Sequence, residues 1–293
     1  MRVFLIDGTY ELFRHFFGVP SHRSGAGEEV GAVRGVIGSV LSMLEDGATH
    51  LGVATDQVIE SFRNDMWPGY KTGAGIEPEL FTQFPLLEGA LDALGVTVWA
   101  MVEQEADDAL AAAAAVAAAD PRVEEAVICT PDKDLAQCVV DGRVVQMDRR
   151  KGVTFDEAGI VARLGVPPAS VPDWLALVGD SADGFPGLPG WGAKTAAAVL
   201  SRYEHLEAIP KDPALWDVPV RGAPRLAGVL TDQWDLALLF RELARLRTDA
   251  PVGPVDDWEW RGATPGYSAW AERLDAQGTV GRAERILAAR GSA

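Results

Sequence analysis

Cysteine is nearly absent from this chain. Cys129 and Cys138 are the only two, and their number and spacing suit neither a disulfide framework nor a zinc site. Both are expected to be buried as small apolar residues. Long apolar runs are missing as well. None approaches the about 20 residues of a membrane-spanning helix, Met1 to Ile6 is too short for a secretory signal, and the alanine-rich run Ala109–Ala119 is bracketed by acids. A cytoplasmic protein with no membrane contact is expected. Positive charge is the third shortage: 26 Lys and Arg stand against 43 Asp and Glu, for a net charge of −17, and only five of the 26 are lysine. A chain this acidic does not attract nucleic acid through its overall field. That objection weakens if many of the acids hold metal ions, whose charge reverses the sign that a phosphate feels locally. There is no internal repeat or low-complexity linker, and 293 residues suffice for two domains.

What the chain does have is carboxylate at structurally demanding places. Glu105-Ala106-Asp107-Asp108 sets three acids within four residues directly ahead of Ala109–Ala119. Alanine is the strongest helix former and acids suit a first helical turn, so a buried helix is predicted to start here. The helix dipole supplies only about half an elementary charge, and the neighbouring sequence has no Lys or Arg to supply more. The three acids are either ligands of a divalent cation or a solvated capping cluster.

Other acids fall at predicted strand ends. Arg2–Ile6 reads as a buried strand delivering Asp7-Gly8, followed by a helix from Thr9 to Phe17 that carries Arg14. After a helix from Glu29 to Glu45, the strand Leu51–Ala54 delivers Thr55-Asp56. Gly95–Met101 leads into the Glu105 helix, Ala126–Cys129 runs into Thr130-Pro131-Asp132-Lys133-Asp134-Leu135, and Arg143–Met147 makes a fifth strand. In open α/β sheets, sites are built at this carboxyl-terminal edge. The string Leu5-Ile6-Asp7-Gly8-Thr9 is also similar to haloacid-dehalogenase phosphatases, but Leu5 stands where their nucleophilic Asp is needed. Between Ser61 and Gly75 the sequence is irregular and mixes aromatics, Arg63, Lys71 and glycines. It is either a mobile segment touching nucleic acid or an ordinary surface loop.

From Thr154 onward the pattern turns helical, and Val166-Pro167-Pro168 is a plausible hinge, dividing the chain into 1–165 and 166–293. Asp180 and Asp183 open a glycine-rich turn through Gly190-Trp191-Gly192 that feeds a helix at Ala193–Leu200, with Lys194 in its first turn. Such a turn either holds a phosphate on backbone N–H groups or is a generic turn. Asp232–Leu246 and Ala283–Ala289 read as amphipathic helices, with the scattered Trp in the core. Nine carboxylates (Asp7, Asp56, Glu105, Asp107, Asp108, Asp132, Asp134, Asp180 and Asp183) thus form an oxygen-only set suited to Mg²⁺ or Mn²⁺. Two such ions could activate a water and stabilise a leaving phosphodiester oxygen, and no residue nearby looks like a nucleophile with its base.

Five motifs in this order make the chain similar to the bacterial and phage 5′-nuclease family. That family comprises flap endonucleases and 5′–3′ exonucleases and includes the N-terminal domain of DNA polymerase I. The motifs are Asp7-Gly8 with Arg14; Asp56 with Ser61-Phe62-Arg63 and Tyr70-Lys71; Glu105 to Asp108; Thr130 to Leu135; and Gly179 to Asp183 with Pro186 to Ala196. The resemblance runs from Asp7 to about Tyr203. It implies an α/β fold: a resolvase-like or PIN-like catalytic domain with a mostly parallel central sheet (1–165), then a helical DNA-binding domain with a helix-three-turn-helix element (166–293). It implies that Asp7, Asp56, Glu105, Asp107 and Asp108 hold or support a first divalent cation and that Asp132, Asp134, Asp180 and Asp183 hold a second. Arg14 and Lys71 would contact the scissile phosphate and Arg63 the region beside it. Gly190, Gly192 and Lys194 would grip duplex DNA, around a potassium ion in some relatives. Two residues depart from the pattern: Ala74 stands where relatives carry an arch Arg, and Gly184 where they carry Asn.

The expected activity is therefore that of a free-standing, monomeric, metal-dependent 5′ nuclease on DNA with 5′ ends or flaps and adjoining duplex, needing no small-molecule cofactor. A structure-selective DNA-binding protein without turnover and a PIN-type ribonuclease are the competing expectations.

Overall fold

The computed structural model describes residues 1–291, so the last two residues of the expected second domain lie outside the described residues. The chain forms two compact units, both discontinuous in sequence. One contains Met1–Ile59, Gly73–Thr130 and the chain from Thr248 onward; the other contains Glu60–Thr72 and Pro131–Arg247. The expected boundary after residue 165 falls inside the second unit.

The first unit is built on a parallel sheet of β1 (Arg2–Asp7), β2 (His50–Asp56), β3 (Thr97–Met101) and β4 (Glu125–Cys129), in the spatial order β3-β2-β1-β4. Parallel strands need covering on both faces, which is why Val3, Leu5, Ile6, Leu51, Val53 and Val127 are apolar and buried. The register pairs Ile6 with Val53 on one side and with Cys129 on the other, so the carboxyl ends of the three strands finish level. That alignment carries Asp7 and Asp56 to one edge.

The alanine-rich helix Ala106–Ala119 lies close on the sheet, with Ala109 and Ala112–Ala113 fully inaccessible. Small side chains permit that approach. Helices Gly31–Glu45, Gln83–Ala93, Tyr267–Arg273 and Gly278–Gly291 complete this unit. Its last segment is pinned by tryptophan: Trp99 and Trp258 meet edge to face at 5.4 Å, and both indoles donate to the Val252 carbonyl. Trp258 and Trp260 are buried, as expected for core.

The second unit contains the antiparallel pair β5 (Val144–Asp148) and β6 (Val153–Phe155), and helices Glu157–Leu164, Val171–Val178, Ala193–Tyr203, Ala223–Asp232 and Trp234–Ala244. One apolar cluster joins Tyr70, Trp174, Leu177, Phe185, Trp191 and Phe240. The mixed α/β class with a parallel sheet and a helical part is as expected.

Three local features differ from the sequence reading. Ser61 to Lys71 is not an unanchored loop: Ser61 caps a short helix, Phe62–Met66, the Asn64 side chain returns to the Ser61 N–H, and Tyr70 is 4% exposed. The helix Gln83–Ala93 and the three-residue β6 have no counterpart in the sequence reading, since neither carries a clean period or cap. Cys129 is buried as expected, but Cys138 is half-buried at the end of a 3₁₀ turn.

Gly8 shows how tightly the edge is built. A Cβ at this position would lie 2.6 Å from Val53 Cγ1 and 2.8 Å from the Ala54 carbonyl oxygen, so the helix after Asp7 can start against β2 only with glycine here. Gly8→Ala should overpack this contact and cost about 1–3 kcal/mol, read as a lower midpoint in urea. A midpoint equal to the parent's would show that the helix start can shift freely.

Candidate metal centre and phosphate contacts

In the first unit, Asp7, Asp56 and Asp108 are each held by backbone or hydroxyl donors. Asp7, 6% exposed, caps the helix Gly8–Gly18 by accepting from the Tyr10 N–H at 2.8 Å, and its other oxygen accepts from Thr130 Oγ1 at 2.8 Å. The carboxyl ends of β1 and β4 are thereby tied together. Asp56 Oδ1 accepts from the Ala106 N–H at 2.8 Å, which sets it at the positive end of the alanine-rich helix. Asp108 is fully buried, and its Oδ2 accepts from the Glu105 N–H at 3.0 Å. It thus works as a helix-start residue behind the half-exposed Asp107. Glu88 belongs here too, although the sequence reading passed it over along with its helix. Thr55 and Gln57, on either side of Asp56, both donate to its carboxylate, and burial raises its pKa above the ordinary carboxylate value.

In the second unit, carboxylates converge. Asp134, Asp180 and Asp183 offer donor atoms that lie within 4.8 Å of one another. The exposed Asp132 accepts from the Asp134 N–H at 3.0 Å and orders the loop that aims Asp134 inward. Gly184, one of the departures from the family pattern, explains itself in this turn: its φ is +83°, and a Cβ would fall 2.0 Å from the Gly69 carbonyl oxygen. Asparagine does not fit there.

The electrostatics of this group leave negative charge to be answered. Asp134 Oδ1 is buried without a hydrogen-bond partner. Burial first, then repulsion from Asp132, Asp183 and Asp180, pushes the Asp134 pKa well above the ordinary carboxylate value, with Lys133 partly opposing. An orphaned buried oxygen within a set of hard oxygen donors fits a divalent cation of the magnesium type. Two lysines answer the charge. Lys71 Nζ is 3.0 Å from Asp183 Oδ1. Lys133 Nζ pairs with Asp180 Oδ2 and is 3.9 Å from Asp134 Oδ1; burial opposes its charge, but Asp134 and Asp180 outweigh that and raise its pKa. Lys133 lies inside the motif Thr130 to Leu135, and its place between two aspartates is the signal for this role.

The other predicted phosphate contacts separate into two kinds. Arg63 is 1% exposed, and its guanidinium donates to the Leu243 and Arg245 carbonyls. Its expected contact with substrate is therefore corrected: buried, it uses Nε and Nη2 to anchor the segment that ends in Lys71. Arg14 lies 29% exposed on the helix after Asp7, paired with Glu11. In the glycine-rich turn, Leu188 donates to the Leu177 carbonyl and Gly190 has φ +85°, exposing Gly190, Gly192 and Lys194. Arg225 crosses this turn, since a Cβ at Gly190 would lie 2.0 Å from its Nη2. No sequence motif announced Arg225, which is 35 positions away.

Known proteins match this chain in sequence and in fold. The family model for the 5′–3′ exonuclease N-terminal resolvase-like domain matches residues 2–165, and the one for the 5′–3′ exonuclease C-terminal SAM fold matches residues 166–265. DNA polymerase I of Pseudomonas aeruginosa is 33% identical over 258 residues, covering 85% of this chain and 27% of that protein. The thermostable DNA polymerase I of Thermus aquaticus is 33% identical over 252 residues, covering 86% of this chain and 29% of that protein. The chain thus spans less than a third of the length of these relatives. Among solved structures, the T5 5′-exonuclease with divalent metal ions (zinc) bound superposes with a TM-score of 0.67 at 17% identity over 98% of both chains. Flap endonuclease-1 from Methanococcus jannaschii superposes with a TM-score of 0.61 at 14% identity, over 99% of this chain and 93% of that one. Those two likenesses concern the fold; the sequence matches, reaching from residue 2 to residue 265, establish that the chain belongs to the 5′–3′ exonuclease family.

Proposed function

We propose that this protein hydrolyses DNA phosphodiesters at 5′ ends and flaps beside duplex, as a monomer acting in the cytoplasm. The observation that carries the reading is the meeting of Asp134, Asp180 and Asp183 around an unpartnered buried oxygen, in a chain of a nuclease family. A DNA-binding protein without turnover would have no use for so costly a cluster.

Asp132, Asp134, Asp180 and Asp183 would hold one magnesium or manganese ion; Asp7, Asp56, Glu105 and Asp107 would hold or support another, with Asp108 behind them. Bound ions would supply an activated water and a counter-charge for the leaving oxygen. Around that chemistry the chain's own side chains position the substrate. Lys71, beside Asp183 and anchored through the Asn64 bond to its carbonyl, would meet the scissile phosphate. Arg14 would bind the same phosphate as charge develops. Gly190, Gly192 and Lys194, joined by Arg225, would hold duplex backbone away from the chemistry. Labelled flap DNA, duplex and single-stranded RNA, incubated with Mn²⁺ or with EDTA, test the proposal directly. Cleavage of the flap only with the cation is expected, and RNA cleavage in its place would overturn it.

Two predictions follow from the charges. Because the folded-state pKa of Asp134 is raised, its contribution to stability is full below the unfolded carboxylate pKa and is lost as pH rises through the folded value. In EDTA, charging Asp134 therefore works against the fold. Asp134→Asn should then melt higher than the parent in EDTA at pH 7.5, by a margin that narrows at pH 5. It should also lose most of the rise that a hundredfold excess of cation over Kd gives the parent, about 2.7 kcal/mol per site. Its turnover should fall at least about 100-fold. Scanning fluorimetry across pH with and without Mn²⁺ checks this; a variant that melts no higher than the parent in EDTA contradicts it.

The cations should divide by role. Lys194→Ala and Arg225→Ala should each weaken binding of duplex-containing DNA and reduce the slope of log K against log salt by about 0.9. Lys71→Ala should instead lower the single-turnover rate while leaving affinity near the parent's. If Lys71→Ala lost affinity with the bound-state rate intact, this division would fail.

A further inference from the structure

A buried carboxylate outside the roles assigned so far stands beside Arg14. Glu11 sits on the helix Gly8–Gly18, one turn beyond Asp7, and is 1% exposed. A carboxylate so buried is tolerated when a cation and hydrogen bonds answer it. Arg14 and His15 stand at i+3 and i+4 on the same helix face. Arg14 Nη2 donates to Glu11 Oε2 and lies 2.8 Å from His15 Nε2, while His15 Nε2 is 3.5 Å from Glu11 Oε2. The imidazole is wedged against the neighbouring helix, where a Cβ on Gly35 would fall 2.3 Å from His15 Nδ1. Glu11, Arg14 and His15 therefore form one locked group.

The lock leaves part of the guanidinium uncommitted. Nη2 is engaged by both neighbours, Nε is buried without a partner, and among the described residues Nη1 has no hydrogen bond, on a side chain 29% exposed. A phosphate oxygen can take Nη1 while Nη2 stays on Glu11.

We propose that Glu11 is a positioning residue for the cleavage reaction, holding the Arg14 guanidinium preset for the scissile phosphate. The inference rests on the reading of Arg14 given above and extends it to a residue and a direction of effect. An arginine fixed before substrate arrives loses little freedom on binding and serves the rate more than the affinity. Glu11 also offsets the positive charge that Arg14 shows to an approaching phosphate, so this carboxylate lowers attraction in the ground state while it improves alignment.

The two effects have opposite signs, and that makes the test specific. Glu11→Gln keeps the shape and removes the charge. On flap DNA it should slow single-turnover cleavage with Mn²⁺ by about 10- to 100-fold, while affinity measured in Ca²⁺ stays equal to the parent's or becomes tighter. Glu11→Asp, which keeps the charge on a shorter arm, should recover part of the rate. Arg14→Ala should be slowed at least as much as Glu11→Gln, and adding Glu11→Gln to it should slow it no further. Melting curves of each variant report folding; if Glu11→Gln does not fold, Glu11→Asp carries the same cycle with Arg14→Ala. Parental rate in a folded Glu11→Gln, or equal slowing with and without Arg14, overturns the positioning role and leaves Arg14 in place. Parental rate in Arg14→Ala overturns the reading of Arg14 itself, and this inference with it.

Discussion

Like charges held close together away from water dominate the second unit of this protein. Asp134, Asp180 and Asp183 repel one another, and the buried oxygen of Asp134 has no donor to settle it. Much of the surrounding structure manages that conflict. Asp132 and the backbone fix the loop, two of the chain's five lysines are spent on the cluster, and Arg63 is buried to hold the segment that presents one of them. The same shortage of cations that made the composition look hostile to DNA is seen locally as a careful placement of the few available.

The first unit solves a related problem by different means. Its acids stand at level strand ends and at a helix start, where N–H groups and hydroxyls answer them one at a time: Tyr10 and Thr130 for Asp7, Ala106 for Asp56, the Glu105 N–H for Asp108. A parallel sheet makes this possible, because its register brings the outgoing ends of separate segments to one edge. Glycine at position 8 then lets the helix leave that edge at once.

How far these features could be read from the sequence depended on range. Strands ending in acids, the alanine helix and the glycine turn are local patterns with local causes, and the residues from Asp7 to Asp183 announced them. The place of Asp134 in a cluster followed from motif order. What stayed hidden was set by distant partners. Arg63 looks like a substrate contact until the Leu243 carbonyl, 180 residues on, is seen to claim it. Arg225 is an ordinary surface arginine until it crosses Gly190. Glu88 is one acid in an unremarked helix until Thr55 and Gln57 both turn to it. Sequence pattern specifies what a segment can be; these roles depend on what it meets.

The segment from Thr248 onward belongs to the unit that begins at Met1. Trp258 covers Trp99, the Trp260 indole donates to the Leu94 carbonyl, and Trp270 occupies the space left by Gly89. During synthesis, therefore, the unit whose first strand emerges earliest is the last to be finished. All of Glu60–Thr72 and Pro131–Arg247 has been synthesised before the tryptophans that close the first unit are added. Until then the outer face of β3 lacks its cover, so the nascent chain passes through a stage in which one half of the protein can be complete while the other still waits for its seal.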